Sequence, residues 1–167
     1  MRLRDNIRPA RPLAARGLLK QPYNLQSMKT ASAKPSVSVA TAGETIALLW
    51  TCARPYQWVK NLFVLAALMF SGKLGDGWAV GRTLAALVDF CLLSSAIYIL
   101  NDVIDAPTDR AHPEKCGRPI ASGRLSSKWA LLSASGLAIV GLVWATAVDR
   151  WLLLIAVCYL ALMVGYC

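Results

Sequence analysis

A long apolar run that ends in a cluster of acidic residues limits most strongly what this chain can fold into. Residues 83–100 contain one charged side chain, Asp89, and have about the length of a membrane-spanning helix. Four polar residues follow at once: Asn101, Asp102, Asp105 and Asp109. Their spacing of three and four residues predicts one shared helix face, where carboxylates at the negative end of a helix dipole repel one another. The pattern therefore predicts a bound cation, and Mg²⁺ with a diphosphate suits such ligands.

A cationic segment comes directly after the acidic cluster. Its members are Arg110, His112, Lys115, Arg118 and Arg124. An acidic cluster followed by a basic one is the composition expected of a metal-diphosphate site. Pro107 lies between Asp105 and Asp109 and is predicted to end the helix, which would leave Asp109 beyond the helix end.

The overall composition indicates a polytopic membrane protein. The chain is 56% hydrophobic and still carries a net charge of +9, and its basic residues stand between apolar runs. They are not placed on amphipathic elements, so nucleic-acid binding is not expected. An all-α transmembrane bundle with about four spans is predicted. The first comprises an apolar lead-in at 44–52 joined to 58–71, the next two are 78–100 and 129–148, and the fourth begins at 151.

The basic residues also predict the orientation of the chain. Of its 18 Lys and Arg residues, 15 lie on one side of the predicted spans, in the tail through Lys60 and in residues 101–128. The positive-inside rule places that side in the cytoplasm, with the acidic and basic segments. We expect a multi-pass protein of the cell inner membrane, embedded in the lipid bilayer.

The two ends of the chain differ in character. Residues 1–43 hold eight basic residues against one acid and no apolar period. We predict a basic disordered tail there, with a transit peptide and a later start at Met28 as alternatives, and the membrane domain at 44–167. The last apolar run continues to Cys167, which favours an incomplete chain. The five cysteines form no CxxC pair, and no disulfide framework or zinc site is predicted.

Two spaced motifs resemble a known family. The string from Asn101 through Asp105, Asp109, Arg110, His112-Pro113, Lys115 and Arg118-Pro119 to Gly123 resembles the first aspartate-rich motif of the UbiA superfamily of intramembrane prenyltransferases. With Arg54-Pro55-x-Gln57-Trp58-x-Lys60-Asn61 upstream, it is most similar to the decaprenyl-phosphate phosphoribosyltransferase branch. The resemblance covers about three quarters of the chain, as the N-terminal portion of such an enzyme.

The resemblance implies a bundle of about nine transmembrane helices around a central cavity. It implies Mg²⁺ held by two aspartate-rich motifs, of which the second is absent here. The expected reaction transfers phosphoribose from phosphoribosyl pyrophosphate to a polyprenyl phosphate, for cell-wall precursors. Two alternatives stay open: an aromatic, 4-hydroxybenzoate-type prenyltransferase that uses a prenyl diphosphate lipid, or a truncated, non-catalytic membrane protein.

Each candidate residue receives a role on this basis. Asp102 and Asp105 are the catalytic candidates, and the metal shell comprises Asn101, Asp102, Asp105 and Asp109. The substrate-binding candidates are Lys60, Arg110, His112, Lys115 and Arg118, among which Lys115 and Arg118 lead as phosphate ligands. Topological charge or interface snorkelling accounts equally for Lys60, and loop capping for His112. Asp89 in mid-span is either functional or paired with Arg82.

Overall fold

The computed structural model describes residues 41–166, and within this range every regular element is helical, which confirms the predicted all-α class. The tail predicted for residues 1–43 lies almost wholly outside the described range. The elements in chain order are α1 (Ala42–Ala53), a 3₁₀ helix (Pro55–Leu62), α2 (Phe63–Phe70), α3 (Gly77–Ala111), α4 (Ser127–Val148) and α5 (Arg150–Tyr166).

The first apolar segment is broken in two, so the prediction of one continuous first span is wrong. α1 begins with a capping box in which Thr41 and Glu44 exchange side-chain and backbone hydrogen bonds. It ends at Arg54, whose φ of 50° is left-handed. Pro55 then opens the 3₁₀ helix, since proline fits the first turn of a helix. The break at Arg54 turns the backbone where the upstream motif begins.

Helix α3 continues past Pro107 and ends at Ala111, so the predicted helix end at Pro107 is wrong. Proline removes only one backbone donor, and it lies close to the helix end. Ala106 and Asp109 on either side of it are both buried, and Asp109 is held by an ion pair. These contacts keep the last turn helical and place Asp109 on the same helix as Asp102.

Small residues bring α3 and α4 close together. Ala130, Ala134, Gly141 and Ala145 are buried along one face of α4. A Cβ at Gly141 would lie 2.6 Å from Cδ2 of Leu93 on α3, so only glycine fits without a shift.

Helix α3 is the central element, because it packs against every other helix named above. One buried cluster joins α1, α3, α4 and the loop before α4, and a second joins α3, α4 and α5. Within residues 41–166, α3 and α4 are long and apolar enough to cross a membrane, and α5 is a shorter apolar helix. The first cluster lies beneath the acidic segment and positions it.

Candidate functional site

The acidic residues at the end of α3 divide between two faces of the helix. Asp102 and Asp109, two turns apart, point inward and are buried, at 4% and 3% exposure. Asp105 is exposed and Asn101 is half-buried. The structure therefore brings Asp102 and Asp109 together and leaves Asp105 on the outer face, where its role as a metal ligand stays a prediction.

Arg118 lies between the two buried carboxylates. Its Nη1 donates to Oδ2 of Asp109 at 2.7 Å and approaches Oδ1 of Asp102 at 3.4 Å. The loop that carries Arg118 is anchored by Ile120 and Leu125, which are buried against α1, α3 and α4. Because the loop is fixed in this way, the Arg118 guanidinium is held over the acidic face of α3.

A second arginine, Arg54 of the upstream motif, contacts Asp102. Nη2 of Arg54 donates to Oδ1 of Asp102 at 2.5 Å, and the guanidinium lies over the ring of Tyr98, 5.3 Å from its centroid. Side-chain exposure of the pair is 23% for Arg54 and 5% for Asp102, so little water screens it. The two motifs, 48 positions apart, thus meet at Asp102.

The rest of the upstream motif, residues 55–61, fastens the chain to α3. Nε1 of Trp58 donates to Oγ of Ser95 at 3.0 Å, and that hydroxyl donates to the carbonyl of Ala53 at 3.1 Å. Nδ2 of Asn61 donates to Oγ of Ser94 at 3.2 Å. These bonds lie on both sides of the break at Arg54 and fix its position relative to Asp102.

The remaining basic candidates form no ion pair with the two buried carboxylates in the part of the chain that the structure describes. Arg110 is exposed, and its Nε donates to the carbonyl of Ala121 at 3.2 Å. His112 caps α3, and its Nδ1 accepts from the backbone N–H of Glu114 at 3.2 Å, in keeping with the capping alternative. Lys115 and Lys60 are exposed, and in the described range neither forms an ion pair. Their roles stay predictions.

The donor set is compatible with a hard divalent cation only in part. Among residues 41–166, no three His, Cys, Asp or Glu side chains are grouped closely enough to hold a metal ion. Two carboxylates, Asp102 and Asp109, face one shared guanidinium nitrogen. Mg²⁺ is commonly held by one or two carboxylates together with substrate phosphates. The two carboxylates therefore offer a divalent cation two ligands and leave its remaining positions to water or to substrate phosphates.

Of the two alternatives for Asp89, the pairing with Arg82 is wrong. Arg82 forms its ion pair with Asp149, at the junction of α4 and α5, because the break there turns Asp149 toward α3. Asp89 is fully buried, and neither carboxylate oxygen has a hydrogen-bond partner within the described residues. It faces Gly141 on α4, so the carboxyl lies at the closest approach of the two helices.

An apolar groove opens beside the upstream motif. It has a volume of about 430 Å³, and its walls come from α1, the 3₁₀ helix, α3 and α4. The side chains that form it include Leu49, Trp50, Trp58, Ile99 and Leu137. The groove shares Ala53 and Ser95 with the hydrogen bonds that fasten the backbone beside Arg54 to α3.

Arg54 is the residue that the sequence analysis left without a role. Arg54 belongs to the upstream motif. Its pairing with Asp102 depends on a fold in which α1 packs against the end of α3. A basic residue at the membrane edge of an apolar segment, on the same predicted side as the acidic cluster, is the signal that could have suggested it.

Comparison with known proteins places these motifs among related sequences. The profile of the UbiA prenyltransferase family matches residues 61–167. The chain is 40% identical over 119 residues to the decaprenyl-phosphate phosphoribosyltransferase of Mycolicibacterium smegmatis, which covers 68% of this chain and 37% of that protein. Proteins of the same name from Mycobacterium tuberculosis and Corynebacterium glutamicum are 40% and 41% identical over 120 residues, covering 68% of this chain and 39% and 36% of theirs. The chain thus spans less than two fifths of these relatives.

Proposed function

The chain belongs to the UbiA prenyltransferase family, a family of polytopic helical membrane proteins, and we propose that the protein containing it transfers phosphoribose from phosphoribosyl pyrophosphate to a polyprenyl phosphate. The observation that carries the proposal is the meeting of the two motifs, in which Arg54 and Arg118 converge on Asp102. The 40% identity to relatives named for decaprenyl-phosphate phosphoribosyl transfer supports the choice of substrates.

The proposed reaction is a displacement at the anomeric carbon of the ribose. A phosphate oxygen of the acceptor lipid forms the new bond to this carbon, and the bond to the diphosphate breaks. The acceptor phosphate is already ionised at neutral pH, so no side chain has to remove a proton from it. Charge develops on the leaving diphosphate, and groups placed to neutralise that charge lower the barrier.

We assign the neutralising groups from their placement. Asp102 and Asp109 would hold Mg²⁺, which when bound neutralises and orients the diphosphate. Arg118 lies where its planar fork can bind phosphate oxygens next to these carboxylates. Lys115 and Arg110, exposed on the same loop and helix end, extend the cationic surface. Asp105 and Asn101 as further metal ligands, and His112 and Lys60 as further substrate ligands, belong to the proposal on the strength of the sequence motifs alone.

The apolar groove fits the hydrocarbon chain of the acceptor. Its lining is almost wholly hydrophobic, with Ser95 and Ser133 as the hydroxyl-bearing members. Its lining includes Ala53, one residue before Arg54. A polyprenyl chain in the groove would place its phosphate beside the arginines, on the side of the membrane that the basic residues indicate is cytoplasmic.

The test is a transfer assay in membranes that contain the full-length protein. Radiolabelled phosphoribosyl pyrophosphate and polyprenyl phosphate are supplied with Mg²⁺, and labelled lipid is measured after extraction. We expect labelled polyprenylphosphoryl phosphoribose from the wild type and background counts from Asp102→Asn.

Parallel reactions decide between this proposal and its alternatives. They contain a prenyl diphosphate and 4-hydroxybenzoate in place of the two substrates. Prenylated 4-hydroxybenzoate without labelled lipid would replace the proposal by aromatic prenyl transfer. Product in neither assay, from protein that is correctly inserted in the membrane, would favour a non-catalytic role.

A further inference from the structure

Asp102 receives two guanidinium groups on the same oxygen. Nη2 of Arg54 lies 2.5 Å from Oδ1, and Nη1 of Arg118 lies 3.4 Å from it. Arg118 is closer to Asp109, at 2.7 Å, so its main partner is the other carboxylate. Arg54 is therefore the principal counter-charge of Asp102.

The backbone holds Arg54 in place independently of this ion pair. Its left-handed conformation follows directly after Ala53, whose carbonyl is bonded to Ser95, and the hydroxyl of Ser95 also accepts from Trp58. The ring of Tyr98 supports the guanidinium from one side. The guanidinium can thus leave Oδ1 while the backbone stays fastened to α3.

We propose that Arg54 is a displaceable counter-charge of Asp102, which competes with a divalent cation for Oδ1. This inference rests on the proposed function, in which Asp102 is a metal ligand. A divalent cation and a guanidinium that approach the same oxygen repel each other strongly where the site is nearly dry. A cation that binds Oδ1 therefore displaces Arg54, and the freed guanidinium becomes available to a phosphate oxygen beside the metal.

The competition predicts an effect with an unusual sign. Removing a side chain from a binding site normally weakens binding, whereas removing the Arg54 charge leaves Asp102 a stronger ligand. We expect Arg54→Gln to bind Mn²⁺ about tenfold more tightly than the wild type, when neither donor nor acceptor is present. A side chain that only supported the fold would produce no such gain.

The experiment is a titration of purified full-length protein with Mn²⁺, with free Mn²⁺ measured by electron paramagnetic resonance. Asp102→Asn identifies the sites that depend on this carboxylate, and only the Mn²⁺ bound in the wild type and lost in that variant is compared. The matched control is Arg124→Gln, since Arg124 is exposed and bonded to Ser122 and the Gly117 carbonyl. We expect its Mn²⁺ affinity to stay within twofold of the wild type.

Three outcomes would overturn the proposal. They are unchanged or weaker Mn²⁺ binding by Arg54→Gln, an equal gain in Arg124→Gln, and a gain that persists when Asp102 is already asparagine. If Arg54→Gln does not fold, Arg54→Lys replaces it, with a gain of at least twofold expected and no gain counting against the proposal. Because no transferable group is present, the result is separate from the identity of the donor and acceptor.

Discussion

Replacing Gly141 with alanine tests how closely α3 and α4 pack. The added Cβ would lie 2.6 Å from Cδ2 and 3.1 Å from Cγ of Leu93, and 3.2 Å from Oδ1 of Asp89. Favourable carbon contacts require about 3.5–4.0 Å. Leu93 is fully buried, so its side chain has little space to move into. Overpacking of this kind costs about 1–3 kcal/mol.

A second glycine on the same helix supplies the matched control. Gly136 has no atom within 4 Å of its added Cβ, so Gly136→Ala gains only the helix propensity of alanine, about 1 kcal/mol. The same gain is present in Gly141→Ala. The difference between the two variants therefore isolates the steric cost, and we expect Gly141→Ala to be about 1–3 kcal/mol less stable than Gly136→Ala.

The assay is reversible unfolding of the full-length protein in mixed micelles, followed by tryptophan fluorescence and by circular dichroism. Equal stability of the two alanine variants would refute the close approach of α3 and α4. A third variant checks the cause: Leu93→Ala in the Gly141→Ala background should recover stability relative to the sum of the single changes, by about 1 kcal/mol or more.

Three further predictions concern the acidic and basic site. Asp102→Asn and Asp105→Asn should each slow phosphoribosyl transfer by roughly 100-fold, because both carboxylates are proposed to hold the Mg²⁺ that would neutralise the leaving diphosphate. Arg118→Lys should raise the KM for the donor about tenfold in the same assay, since lysine lacks the planar fork that fits phosphate oxygens. Cys116, exposed in the loop, should react with a membrane-impermeant maleimide in inverted vesicles and not in right-side-out ones.

Each of these outcomes has a contrary result. Near-normal turnover of Asp105→Asn alone would restrict the proposed shell to the inward face of α3. A KM shift as large in Arg124→Lys as in Arg118→Lys would reflect the charge of the loop in general. Labelling of Cys116 from the outer side would reverse the proposed orientation. The vesicle preparations need a marker of known sidedness to make the last result decisive.

The hydropathy pattern was sufficient to predict α3, α4 and α5, and it missed the break at Arg54 in the first apolar segment. Apolar runs of about 20 residues permit few other structures in a membrane, because every backbone polar group must be satisfied within the segment. The spacing of the acidic residues predicted one shared helix face, and this is wrong, because Asp102 and Asp109 are buried and Asp105 is exposed. Which of these carboxylates points inward depends on the packing of α1 and the Arg118 loop against α3, and no local pattern records that.

Two errors have the same origin. Pro107 was predicted to end α3, and the ion pair of Asp109 with Arg118 and the burial of Ala106 keep the helix intact. Arg82 was paired with Asp89 by proximity in sequence, and its partner is Asp149, 67 positions away. In both cases contacts between distant segments outweigh a local preference, and such contacts are invisible until the helices are placed in space.

The length of α3 determines the depth at which chemistry can take place. Its 35 residues correspond to about 52 Å at 1.5 Å per residue, against a hydrocarbon layer of about 30 Å. The final 11 residues, from Asn101 to Ala111, extend for about 16 Å. They would rise through the headgroup layer into water, so a soluble, highly charged donor could reach the carboxylates without entering the hydrocarbon. The lipid acceptor would need to raise only its phosphate to the same height.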